Sequence, residues 1–154
     1  MATRNQNYVD GEWTDAGSGE SFSVENPADP SETVAEYPLG DGDDVQTAVA
    51  AARDALEEWA NTPGPERGAI LRRAGELLAD RKQEATERLT REEGKTHAEA
   101  APEVQRAIDI FAYYGEKARD IGGTKKAASS EETRLETRRE PLGVAALITP
   151  WNYP

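Results

Sequence analysis

The sequence predicts an α/β fold that opens on short β-hairpins, runs through three or four helices and ends in the first strand of a doubly wound parallel sheet. Three observations carry this. Asp10-Gly11 stands between strand-like flanks, a strong local signal for a tight hairpin. From Val45 onward, apolar residues recur at steps of three and four. Val144 to Ile148 is an unbroken apolar run with no polar alternation, the pattern of a strand buried on both faces.

The elements follow in order. Tyr8-Val9-Asp10-Gly11-Glu12-Trp13 reads as the first hairpin, and Ser21 to Glu25 with Thr33 to Tyr37 as a second strand pair, broken by Asn26-Pro27-Ala28-Asp29-Pro30. A helix is expected from Asp43 to about Asn61, with Val45, Ala48, Val49, Ala52, Ala55, Leu56 and Trp59 on one stripe. Asp41, Asp43 and Asp44 supply its cap and its N-terminal negative charge. Pro65 suits the first turn of a second helix, whose stripe of Ile70, Leu71, Ala74, Leu77, Leu78, Ala85 and Leu89 runs to a stop at Gly94. A third helical region spans about His97 to Ile121. Pro102 is expected to divide it, leaving Val104, Ile108, Phe111, Ala112 and Gly115 on the buried side of the longer part. Gly122-Gly123 ends it, Thr124 to Ser130 is a polar loop, and Thr133 to Glu140 alternates as an exposed strand before Pro141-Leu142-Gly143 interrupts.

Composition narrows the function. The 154 residues carry 30 acidic against 18 basic side chains, a net charge of -12. Such a surface lacks the basic footprint that nucleic acid requires and is unsuited to an anionic membrane. Lysine occurs only at positions 82, 95, 117, 125 and 126, and an acidic, lysine-poor surface is the expected adaptation to high salt, where screening removes self-repulsion; an ordinary acidic cytosolic protein is the alternative. Without cysteine there is no disulfide, no thiolate nucleophile and no Cys-based metal site. Met1 to Asn7 has no apolar signal region and no stretch approaches a membrane span, so a cytoplasmic location is expected.

Thr149-Pro150-Trp151-Asn152 follows the apolar run, and the C-terminal ends of strands are where open α/β sheets bind ligands. Pro150 fixes the turn, Trp151 can wall a flat ligand, and the Asn152 carboxamide can donate to a developing oxyanion. The plainer alternative is a capped strand end, with Trp151 in a core and Asn152 bonding the backbone. One asparagine after a strand does not decide between them. Glu93-Gly94-Lys95-Thr96 looks like the tail of a phosphate loop, but the position five before Gly94 holds Leu89, so a helix stop is the better reading. His97 has no triad or ligand partner, and Glu84, Glu87, Glu92 and Glu93 read as a solvated face.

Glu140-Pro141-Leu142-Gly143-Val144 followed by Ile148-Thr149-Pro150-Trp151-Asn152-Tyr153-Pro154 resembles the strand-and-loop signature of the NAD(P)-dependent aldehyde dehydrogenases. Weaker matches run in order through Tyr8 to Trp13, Glu25 to Ala28, Ala48 to Ala52, Trp59, Arg67, Leu71, Glu93-Gly94-Lys95, Glu99-Ala100 and Tyr113-Tyr114. The resemblance implies that residues 1–140 form the N-terminal strands and helices of the cofactor and oligomerisation region, and that 141–154 begin the nucleotide-binding sheet. It implies NAD or NADP as cofactor, with Ile148, Thr149, Pro150 and Trp151 lining it and Asn152 as oxyanion donor. It implies an aldehyde substrate, 2-oxoglutarate semialdehyde in the branch of closest flavour, and a homo-oligomer at full length. The family's nucleophilic cysteine, general-base glutamate and glycine-containing cofactor turn have no counterparts here. The chain is therefore expected to be the first third of such an enzyme, inactive alone, with Val144 to Ile148 lacking its neighbours. The alternative is a complete acidic assembly module whose strand from Thr133 to Glu140 pairs with another chain.

Overall fold

A computed structural model describes residues 3–154. The first hairpin pairs β2 (Asn7–Val9) with β3 (Glu12–Thr14), Tyr8 opposite Trp13. Asp10 and Gly11 take φ of 52° and 80°, the two positive values a type I′ turn needs, as the Asp-Gly pair predicted. A separate sheet has the order β1-β5-β4: β1 (Thr3–Arg4) runs parallel to β5 (Asp29–Pro38), and β4 (Ser21–Asn26) runs antiparallel to it with Phe22 opposite Tyr37. Asn26 turns that hairpin by accepting the Ala28 amide on its side chain at 2.9 Å.

The helical register is as expected, but its interruptions are not. The first helix is α1 (Gly42–Asp54) followed by α2 (Leu56–Asn61). Asp41 accepts the amides of Asp43 and Asp44 at 2.8 and 3.3 Å while Asp44 returns the favour to the Asp41 amide, a reciprocal capping box. At Ala55 the ladder bends without opening, since Ala55 bonds back to Ala51 and Trp59 to Ala55, each at 3.1 Å. Arg67 donates to the terminal carbonyls of Trp59 and Ala60 and stacks over the Trp59 ring, closing α2.

The second expected helix is α3 (Gly64–Asp80) and α4 (Lys82–Glu93), turned at Arg81. The turn lets both pieces pack along α5 (His97–Lys117), which one straight helix from Gly64 to Glu93, about 45 Å long, would overshoot. Gly94, at φ 76°, stops α4 as predicted. Pro102 does not divide the third helix. It sits six residues into α5, where it removes a single backbone bond, and the buried Ala100, Glu103 and Val104 around it hold the helix continuous.

The core is small: Ala16, Val34, Ala35, Ala100 and Val104, with Thr86 and Glu103 as its buried polar members. Where α3 crosses α5, Gly68, Gly75 and Gly115 replace side chains and the backbones touch. Several predicted core positions are not buried among the described residues. The α1–α2 stripe is exposed at Val45 and Trp59, as are Ile70, Leu77 and Ala112 on α3 and α5. At these positions the helix faces meet no second layer among the described residues.

The end of the chain departs furthest from expectation. The strand expected from Thr133 to Glu140 shrinks to β7 (Leu135–Glu136), which pairs with β6 (Lys125–Lys126) of the same chain. Val144 to Ile148 forms no strand, and it is exposed, Ile148 to 94%, as expected of a run that lacks its neighbours. A doubly buried strand exists only through its neighbours, and none pairs with this segment among the described residues.

Candidate active site

Residues 149–153 form a turn closed by the Tyr153 amide donating to the Pro150 carbonyl at 3.2 Å. Pro150 precedes the two central residues, Trp151 and Asn152, and both are exposed, Trp151 to 87%. Among the described residues, Trp151 packs into no core. The Asn152 carboxamide forms no hydrogen bond among the described residues; it is the Asn152 backbone carbonyl that is engaged. Ile148, Pro150 and Trp151 thus present an open apolar surface beside an uncommitted amide donor.

The group engaging that carbonyl comes from the helix stop that carried no expected chemistry. Gly94 in the left-handed conformation sends the chain back over Pro27, and Lys95 points its ammonium at the turn. Lys95 Nζ lies 3.2 Å from the Asn152 oxygen and 5.2 Å from the centre of the Tyr153 ring, a cation–π contact. It is also 2.9 Å from Glu93 and hydrogen-bonded to Glu103. The side chains of Lys95 and Glu103 are only 14% and 8% exposed. The Glu103 carboxylate first, and then that of Glu93, holds the Lys95 pKa above the ordinary lysine value, so it is charged at neutral pH.

Sequence reasoning missed this pair, although a signal existed. Glu103 falls between Ala100 and Val104 on the face of α5 that packs inward, where a carboxylate needs a cation to face. The acidic cluster was also misread in part. Glu84 and Glu87 are solvated, but Glu92 accepts from the Tyr37 hydroxyl and pairs with Arg88, while Glu93 pairs with Lys95. Burial and the carboxylate of Glu92 push the Tyr37 hydroxyl pKa upward. His97 lies exposed at the start of α5, and no metal-holding cluster of His, Cys, Asp or Glu occurs among the described residues. No helix there is long and apolar enough to cross a membrane.

Comparison with known proteins accounts for nearly the whole chain. The model of the aldehyde dehydrogenase family matches residues 13–154. The chain is 62% identical over 154 residues to the alpha-ketoglutarate semialdehyde dehydrogenase of Haloferax volcanii, covering 100% of this chain and 32% of that protein. It is 44% identical over 138 residues to the 2,5-dioxopentanoate dehydrogenase of Saccharolobus solfataricus, covering 90% of this chain and 29% of the other. Among solved structures, the NAD-dependent aldehyde dehydrogenase from Sinorhizobium meliloti superposes with a TM-score of 0.95 at 33% identity, over 100% of this chain and 31% of that one. The chain thus spans about a third of the length of the curated relatives it matches.

Proposed function

Because this chain belongs to the aldehyde dehydrogenase family, we propose that it forms the N-terminal third of an NAD(P)-dependent enzyme oxidising a semialdehyde, 2-oxoglutarate semialdehyde, to its carboxylic acid. The observation that carries the substrate is the 62% identity, sustained over all 154 residues, to a protein of that name. In this reading residues 1–140 are the strands and helices of the cofactor and oligomerisation region, and 141–154 begin the nucleotide-binding sheet.

The exposed surface of Ile148, Pro150 and Trp151 fits a flat ring and its ribose, with Thr149 in the same wall, which suits the nicotinamide end of the cofactor. When bound, the cofactor supplies the hydride acceptor. Asn152 donates its carboxamide hydrogen to the aldehyde oxygen as that oxygen takes up negative charge under attack by a thiolate. This chain has no cysteine, so in this reading the thiolate comes from the remaining two thirds of the enzyme.

The acidic, lysine-poor surface and the Haloferax relative support adaptation to high salt. One assay tests both readings. Aldehyde-dependent NADH or NADPH formation is followed for the 154-residue chain and for the full-length enzyme, in dilute buffer and in molar KCl. The expected result is no turnover by the chain alone and turnover by the full-length enzyme that rises with salt. Turnover by the isolated chain refutes the assignment of the nucleophile, and activity that falls with salt refutes the halophilic reading.

A further inference from the structure

We propose that Lys95 is a positioning residue that holds the Asn152 turn in place, a role that rests on Asn152 being the oxyanion donor. The turn has little else to fix it. Its internal bond is the single one from Tyr153 to Pro150, and residues 144–152 are exposed and unpaired with any strand. Among the described residues, the hydrogen bond that ties residues 141–154 to the helical body is the one from Lys95 to the Asn152 carbonyl.

The ammonium is itself built in. Three N–H groups face Glu103, Glu93, the Asn152 carbonyl and the Tyr153 ring. Glu103 and the carbonyl take hydrogen bonds from it, while the Glu93 oxygen 2.9 Å away adds an ion pair. A carboxylate buried within α5 is costly unless a cation meets it, so Glu103 fixes where the ammonium stands. The Gly94 turn fixes the stem. An ammonium held from two sides and aimed at a backbone oxygen sets the plane of the Asn152 peptide, and with it the direction in which the Asn152 side chain leaves. A plain structural salt bridge from the α4–α5 loop to α5 would need neither the carbonyl nor the ring.

Lys95→Met keeps the stem and removes the charge. In the full-length enzyme, kcat should fall about tenfold with KM for the aldehyde little changed, as expected when a catalytic group loses its alignment. In an Asn152→Ala background the same substitution should cost nothing further, because Lys95 acts through Asn152. Hydrogen exchange of the Tyr153 amide, which closes the turn onto Pro150, should accelerate about tenfold or more. If Lys95→Met fails to fold with Glu103 left unpaired, the double variant Lys95→Met/Glu103→Met removes both charges and answers the same question. Losses that multiply with Asn152→Ala, or an unchanged kcat beside an effective Asn152→Ala, overturn the positioning role and leave the oxyanion reading intact. If Asn152→Ala itself leaves kcat unchanged, the oxyanion reading falls, and the exchange rates alone decide whether Lys95 holds the turn.

Discussion

Asn152→Ala lowers kcat of the full-length enzyme by about 10²–10³, the usual loss when one oxyanion-hole donor is removed. Folding is undisturbed, because Asn152 is exposed and its carboxamide has no partner among the described residues; the contact to Lys95 uses the backbone, which alanine retains. The loss falls on kcat and kcat/KM together, since the bond strengthens only as the aldehyde oxygen gains charge. Steady-state kinetics with thermal melting of the same preparations checks this. An unchanged rate removes Asn152 from the oxyanion role, and a fallen melting temperature would make the loss structural.

Gly68→Val destabilises the protein by about 3 kcal/mol or more, the upper range for overpacking a filled interior. A Cβ at Gly68 would stand 2.3 Å from the Gly115 carbonyl oxygen and 3.0 Å from the Ala118 methyl, while one at Gly115 would meet Arg72 Cγ at 2.6 Å. Backbone cannot yield as a flexible side-chain tip does, so α3 and α5 must separate. Their separation loosens the helix that carries Glu103 beneath Lys95. Gly122→Val is the control, because nothing lies within 4 Å of a Cβ there. Thermal melts should place the Gly68 variant roughly 10 °C or more below the parent and the Gly122 variant close to it. Equal melting temperatures for all three would mean that the two helices do not cross in backbone contact.

Local chemistry was legible wherever a residue's own backbone or nearest neighbours decide the outcome. Asp10-Gly11 turned as a hairpin, Asp41 with Asp44 capped α1, and Gly94 ended α4, each through interactions spanning a few residues. Breaks that depend on packing were not legible. Arg81 turns the chain so that α3 and α4 both follow α5, and Pro102 stays helical because its surroundings are buried. The apolar run Val144 to Ile148 had the composition of a doubly covered strand, but composition does not supply the strands that cover it. At the candidate site, the motif from Thr149 to Asn152 was visible as sequence. Its anchor was not, since Lys95 and Asn152 are 57 residues apart and only the fold brings them together.

Whether residues 148–152 face the nicotinamide is tested most directly by Trp151 fluorescence in the full-length enzyme. Trp13 and Trp59 lie in the first hairpin and in α2, on other elements, so Trp151→Phe isolates the signal of the turn. NAD titrated into the parent should quench emission with a saturable curve, and most of that quench should vanish in Trp151→Phe while NAD still binds by calorimetry. An equal quench in both proteins would contradict the placement of this turn against the cofactor.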